Sequence, residues 1–266
     1  MTETKNYALI TGATEGIGYE LAKLFAADKY NLIIVARHRE ELESRAQEFR
    51  QEGVEVIPIA KDLFKREEAF SLCSEVDALG VTVDVLVNNA GQGAYGLFKD
   101  VEVERELDIV DLNIAATIIL TKHFVKQMIT RNEGKILNLA SIASKTPGPW
   151  QTVYHGTKAF VYTFSEGIRH ELKDHNITVT ALMPGATDTD FFNKADMTES
   201  KIVQETSLAD PADVAKDGYK ALMSGDDKVI SGLKNKAMIG MSNLMPDPAV
   251  AAMMDKQQQP VDDKDK

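Results

Sequence analysis

Tyr154 and Lys158 stand at positions i and i+4 of a segment patterned as a helix, so one helix face presents both side chains. A free phenol titrates at about 10, too high for a base at neutral pH. A neighbouring ammonium favours the phenolate and lowers that value, so the pair could exchange a proton with a substrate oxygen. Spacing alone carries little, because tyrosine and lysine fall at this interval on many helices. Two further polar groups sharpen it. Ser141 follows the apolar run 135–139, and Asn88-Asn89-Ala90-Gly91 closes the run 83–87. Both runs read as strands, and open parallel sheets bind ligands at the carboxyl ends of their strands.

A second chemical feature is an anion cradle. Thr11-Gly12-Ala13-Thr14-Glu15-Gly16-Ile17-Gly18 lies between the apolar run 7–10 and a helical pattern over 17–27. Gly12 permits the tight turn, Gly16 lets a pyrophosphate approach the backbone, and Gly18 lets the helix pack close to the strand. The helix N-terminus then faces the anion with free N–H groups and its positive dipole end. In dinucleotide folds the second strand ends about 20 residues on in an acid that binds the ribose 2′-hydroxyl. Here that position is Ala36, and Arg37-His38-Arg39 follows. A guanidinium can form a two-pronged bond to a 2′-phosphate, whereas a carboxylate would repel it. The sequence therefore favours NADP(H) over NAD(H), with Glu15 as a contrary sign because an acid inside the loop offers nothing to another phosphate.

The elements that must position these groups alternate along the chain. Apolar runs at 7–10, 31–36, 54–59, 83–87, 135–139, 177–182 and 228–230 read as strands. Between them, 17–27, 39–51, 65–79, part of 101–129, 151–175 and a segment opened by Pro211 carry helical patterns. The expected fold class is α/β, a Rossmann-like doubly wound three-layer α/β/α sandwich with a mostly parallel six- or seven-stranded sheet. Residues 1–254 are expected to form a single dinucleotide-binding oxidoreductase domain that includes a mobile substrate loop, 186–207. Residues 255–266, polar and charged, are expected to be a disordered tail. The apolar stretch 114–120 is expected to be a helix buried in the core or against a second subunit.

Composition narrows the partners. The 266 residues are 44% hydrophobic, enough for a sizeable core, and the net charge of -11 disfavours nucleic acid. A single cysteine, Cys73, permits no intramolecular disulfide; it reads as the buried face of a helix in a reducing, cytoplasmic setting. No run of 18 apolar residues is present, so no membrane-spanning helix is expected, and the start has no leader layout. Asp188 and Asp190 have no histidine or cysteine beside them, so no metal is expected. Tyr95, Trp150, Phe191 and Phe192 follow strand ends and give the expected substrate rim an apolar character. His155 adjoins Tyr154 but points about 100° away on a helix, which makes it a bystander. Met238, Met241 and Met245 read as core or lid packing.

In combination, Thr11-Gly12-(three residues)-Gly16-Ile17-Gly18, Asn88-Asn89-Ala90-Gly91, Asn113, Ser141, Tyr154-(three residues)-Lys158 and Pro184-Gly185 resemble the short-chain dehydrogenase/reductase family, in its compact single-domain form, over about residues 5–230. The resemblance implies that Tyr154 is the general acid/base and that Ser141 hydrogen-bonds the substrate oxygen. It implies that Lys158 binds the nicotinamide ribose and depresses the tyrosine pKa, and that Asn113 binds a water that relays protons to Lys158. Cofactor contacts are implied for Thr14, Glu15 and Ile17 in the loop, for Asp62 and Leu63 at the adenine, and for Asn89, Ala90 and Gly91 on the adenosine ribose side. They are implied also for Pro184, Gly185, Thr187 and Thr189 at the carboxamide and pyrophosphate. The expected activity interconverts a carbonyl and a primary or secondary alcohol on a small to medium, moderately hydrophobic substrate, in a homodimer or homotetramer. The alternatives are an NAD-preferring alcohol dehydrogenase of the same family, a dinucleotide-sensing protein without turnover, and a nucleotide-sugar epimerase or dehydratase. The last usually needs a larger C-terminal region than follows Gly185 here.

Overall fold

Seven apolar runs form one sheet: β1 (Tyr7–Thr11), β2 (Asn31–Ala36), β3 (Val56–Ala60), β4 (Val83–Asn88), β5 (Gly134–Leu139), β6 (Ile177–Met183) and β7 (Lys228–Ile230). The structure, a computed structural model, describes residues 6–261. The strand order is β3-β2-β1-β4-β5-β6-β7, and every pairing is parallel. Chain order reverses between β1 and β4, which opens a crevice at their carboxyl ends.

The apolar runs are continuous because both faces of the sheet are covered. Ala8 and Ile10 join one buried cluster while Tyr7 and Leu9 join the other; Leu32 and Ile34 oppose Ile33 and Val35 in the same way. On the first face lie α1 (Gly16–Ala27), α2 (Arg39–Arg50) and α9 (Pro211–Ser224), packed through Phe25, Phe49 and Leu222. On the second lie α3 (Arg66–Ala78), α5 (Ala116–Arg131) and α6 (Thr152–Glu171), with Leu72, Phe124 and Ile168 on the sheet. Each buried phenylalanine contributes roughly 1.5–3 kcal/mol of transfer free energy. Local signals set the helix ends. Asp210 accepts from Ala212 N at 2.8 Å, Pro211 occupies the first turn, and Gly225 ends α9 in the left-handed region.

The segment 101–129 is not one helix. α4 (Val103–Val110) passes through a single π turn, Asp111–Ala115, into α5. The apolar stretch 114–120 spans the end of the π turn and the start of α5, and buries Ala116, Thr117 and Leu120. Two short helices, α7 (Phe191–Lys194) and α8 (Lys201–Gln204), lie in the segment after β6. After β7 come α10 (Leu233–Ser242) and α11 (Asp247–Gln258).

α11 corrects the expectation of a disordered tail over 255–266. Trp150 donates its indole N–H to Asp255 at 2.9 Å, Tyr95 donates its hydroxyl to the Gln258 carbonyl at 2.6 Å, and Lys201 N donates to Gln259 O at 3.0 Å. Pro260 bridges to Ser200. Polar composition hid this docking, because its partners are distant in sequence. Residues 262–266 of the expected tail lie outside the described residues. No described helix is long and apolar enough to cross a membrane.

Candidate active site

A cavity of about 270 Å³ runs along the carboxyl ends of the central strands, lined by Gly12 after β1, Asn89 after β4, Ala140 after β5 and Pro184 after β6. The glycine loop forms one end. Gly12 has φ +68°, and its N–H donates to Val35 O at 2.7 Å. Gly18 lies behind the cavity wall, where a Cβ would sit 2.2 Å from Gly12 O and 2.3 Å from Asn89 Nδ2. That contact brings the first turn of α1 against the loop. Thr11 Oγ1 accepts from Asn89 N at 3.0 Å and Ala90 N at 2.9 Å, while Asn89 Nδ2 donates to Thr11 O at 2.9 Å. β1 and β4 are thus clamped at the crevice. No side chain caps α1, and Gly12, Thr14, Gly16 and Ile17 line the cavity there. Free N–H groups at an uncapped helix start suit a pyrophosphate.

Glu15 also lines the cavity, but its carboxylate is paired with Lys194, which bonds Asp190 at 3.1 Å. Its charge is therefore partly neutralised. The pair also ties segment 186–207 to the glycine loop, and Thr187 and Thr189 line the wall between them.

At the end of β2, Arg37 is exposed and its guanidinium lies over the Phe64 ring at 5.2 Å. No ion pair engages Arg37 among the described residues. Leu63 lines this end as expected, whereas Asp62 does not; it turns its carboxylate to Phe64 N at 3.4 Å and to Lys65 at 3.9 Å. Phe64, not singled out from the sequence, takes the place at the wall.

At the other end Tyr154, Ser141 and Lys158 come together. Ser141 Oγ accepts from Ala143 N at 3.1 Å, donates to Pro184 O at 3.4 Å, and lies near enough to the Tyr154 hydroxyl to lower its pKa. Lys158 is buried, donates to Leu139 O at 2.7 Å, and holds Nζ 5.8 Å from the Tyr154 ring centroid. Asn113 stands behind the wall on the π turn, a geometry that often marks functional helices. A Cβ at Gly91 would lie 3.1 Å from Lys158 Nζ and 3.2 Å from Asn113 Oδ1, so the two converge on that residue. Both amide hydrogens of Asn113 are committed, to Gln92 O and to Thr157 Oγ1 at 2.9 Å each. Oδ1, which already accepts from Gln92 N at 3.0 Å, keeps one lone pair for the implied water.

The electrostatics run against the sequence expectation for tyrosine. Burial pushes the Tyr154 phenol up to about 12, with the Ser141 hydrogen bond pulling the other way, and burial pushes Lys158 down to about 8. Desolvation thus sets the direction of both shifts in the free protein. At neutral pH Tyr154 holds its proton and Lys158 is charged, the arrangement an acid needs to protonate an oxygen. The ammonium stabilises the phenolate left behind, and it is lost as pH rises through about 8. An enzyme that protonates a carbonyl oxygen from Tyr154 with Lys158 charged would hold its reduction rate steady from neutral pH to about 8 and lose it above, while alcohol oxidation, which needs the phenolate, would climb with pH. Steady-state pH profiles check this; reduction that accelerates above that value would contradict the role given to Lys158.

The remaining wall is mostly apolar: Phe191, Phe192, Met197, Ile202, Met238 and Met254. Phe191 lies 5.2 Å from the Tyr154 ring. Tyr95 and Trp150, expected on the substrate rim, do not line the cavity. They stack on each other at 5.6 Å and hold α11, and this packing keeps Trp150 at φ +68°. Met238 lines the cavity, but Met241 and Met245 are exposed. His155, Gln151 and Gln258 of α11 all line the cavity, and His155 Nε2 lies 3.1 Å from the Gln258 amide. Gln258 and Met254 carried no local signal, since only the docking of α11 brings them here.

Residues 6–200 match the sequence profile of the family described as short chain dehydrogenase. An uncharacterized oxidoreductase of Staphylococcus aureus is 28% identical over 207 residues, which span 78% of this chain and 89% of that protein. Among solved structures, a short-chain dehydrogenase from Sphingobium yanoikuyae in complex with NADPH superposes with a TM-score of 0.81 at 25% identity, covering 97% of this chain and 99% of that one. An alcohol dehydrogenase from the archaeon Thermococcus sibiricus, complexed with 5-hydroxy-NADP, gives a TM-score of 0.74 at 26% identity over 85% and 95% of the two chains.

Proposed function

The chain belongs to the short chain dehydrogenase family, and from that premise we propose that it is an NADP(H)-dependent oxidoreductase interconverting a carbonyl and an alcohol on a moderately hydrophobic substrate. The observation that carries this reading is the convergence of Tyr154, Ser141 and buried Lys158 at one end of a cavity whose other end is the glycine loop. The uncapped α1 and the close approach enforced at Gly18 suit a dinucleotide, which when bound supplies or takes up the hydride. Tyr154 donates its hydroxyl proton to the substrate oxygen in reduction and recovers it in oxidation. Ser141 holds that oxygen and stabilises the charge that develops on it. Lys158 stabilises the tyrosinate and binds the nicotinamide ribose, and Asn113 anchors the wall beside it.

Preference for NADP(H) rests on Arg37, stacked on Phe64 and without an ion pair among the described residues. Such a guanidinium can meet a 2′-phosphate at little ordering cost. Arg37→Ala is expected to weaken NADPH binding by about 10- to 100-fold, the worth of a charge-assisted hydrogen bond, and to leave NADH nearly unchanged. Fluorescence titration with both cofactors tests it; tighter NADH binding by the wild type would sink the preference. The apolar wall suits a ketone, aldehyde or secondary alcohol with a hydrophobic body. Assembly as a homodimer or homotetramer is part of the reading, supported by exposed Phe98, Val103 and Leu107 at α4. A reducing cytoplasmic setting accords with Cys73, a buried thiol pushed up to about 11 by burial.

A further inference from the structure

Besides Asn89, two glutamine side chains of the cavity wall are incompletely hydrogen-bonded. Gln258 is 2% exposed and Gln151 5%, and each keeps a buried polar atom without a partner: Oε1 of Gln258 and Nε2 of Gln151. An unpaired buried polar group costs about 1–3 kcal/mol, so two beside one cavity call for an explanation.

Neither is loose. Gln258 is held by its carbonyl, which accepts the Tyr95 hydroxyl at 2.6 Å, and by its amide, 3.1 Å from His155 Nε2. His155 Nδ1 lies 2.8 Å from the Thr146 carbonyl, a group that can only accept, so the imidazole proton sits on Nδ1. Nε2 is then an acceptor and must face the NH₂ of Gln258. Burial lowers the His155 pKa and keeps the ring neutral, so this tautomer persists at neutral pH. The chain Thr146–His155–Gln258 therefore fixes which way the amide points and leaves Oε1 as a free acceptor. Gln151 begins the turn that carries His155, whose N–H bonds Gln151 O at 3.0 Å. Its Nε2 is a free donor close to Gly93, where a Cβ would lie 3.3 Å from Nε2 and 2.9 Å from the Phe191 ring. Phe191 in turn packs on Tyr154. One acceptor and one donor thus stand in the cavity wall near Phe191, beside the reacting groups and distinct from them.

We propose that Gln258 and Gln151 form a recognition point for a hydroxyl group carried on the apolar body of the substrate, apart from the carbonyl that is reduced. A hydroxyl is the small group that has both a proton to give Oε1 and lone pairs to accept from Nε2. The substrate class is then a hydroxyketone or its diol, a refinement that rests on the carbonyl-reductase reading above. His155 is a positioning residue for this point, and α11 is the element that completes it.

The test compares cyclohexylcyclohexanone with its counterpart bearing a hydroxyl on the distal ring, in wild type, Gln258→Leu and Gln151→Met. Initial rates with NADPH give kcat/KM, and the fluorescence of the lone tryptophan, Trp150, reports binding next to α11. Wild type is expected to favour the hydroxyketone by about tenfold or more, because the plain ketone leaves both amides unpaired. Each substitution should erase most of that preference, read as the ratio of the two ketones' kcat/KM within each variant. Gln151→Met, on a different element, keeps the test valid if Gln258→Leu undocks α11. Turnover of both ketones without discrimination, or equal losses on both in the variants, would overturn the recognition point and leave the reductase reading standing. Failure of both ketones to bind or react would overturn the two together.

Discussion

Tyr154→Phe is expected to lower kcat/KM for carbonyl reduction by about 10³-fold, within the span typical of a lost general acid. NADPH binding should stay within about twofold. The substitution removes one oxygen and keeps the ring, whose packing against Phe191 at 5.2 Å does not depend on the hydroxyl. The fold should therefore survive, and loss of rate without loss of binding separates proton transfer from cofactor positioning. Ser141 remains in place, still fixed by Ala143 N and Pro184 O, so residual stabilisation of the substrate oxygen persists. Initial rates and a parallel NADPH titration check both halves. A variant that turns over like the wild type would defeat the assignment of the proton to Tyr154.

Gly18→Ala should produce the second large effect, on stability and cofactor binding together. Its Cβ would meet Gly12 O at 2.2 Å and Asn89 Nδ2 at 2.3 Å, both far inside contact distance. Backbone cannot swing aside as a flexible side chain does, so α1 must move off β1. Asn89 must also give up its bonds to Thr11 O and Gly12 O at 2.9 and 3.1 Å. Overpacking of this kind costs about 3 kcal/mol. It distorts the turn that aims the α1 N–H groups, so NADPH affinity should fall at least about 100-fold in a protein that still folds. Gly156→Ala is the contrast: it sits in α6 between Tyr154 and Lys158, and a Cβ there meets nothing within 4 Å. It should stabilise by about 0.5–1 kcal/mol through helix propensity alone. Thermal unfolding and NADPH titration of both variants check the pair. Equal, small effects would show that the approach at Gly18 does not build the cradle.

Much of the frame was readable because it rests on local rules. Continuous apolar runs at 31–36 and 83–87 can only be strands covered on both faces, and they are buried as read. The glycine loop carries its own reasons, since Gly12 needs positive φ and Gly18 needs space. Tyr154 and Lys158 are brought to one wall by helix periodicity. Groups whose role depends on distant contacts were not readable. Tyr95 and Trp150 looked like a substrate rim because they follow strand ends, but their polar atoms were claimed by α11. The polar composition of 255–266 concealed Gln258, whose burial depends on Tyr95 and His155 far away in sequence. The lysine four residues from Tyr154 is visible in sequence and points its pKa down, whereas the burial that pushes it up in the free protein is not.

The central claim is direct hydride transfer between a nicotinamide dinucleotide and a carbonyl carbon in this cavity. The most direct test incubates the wild type with cyclohexylcyclohexanone and NADPH carrying deuterium at the transferable position, followed by mass spectrometry of the alcohol. One deuterium is expected on the carbinol carbon for each NADPH consumed, with the yield of labelled alcohol lowered about 10³-fold when Tyr154→Phe replaces the wild type over the same interval. Alcohol formed without deuterium, or NADPH left unconsumed across ketones that demonstrably bind, would contradict it.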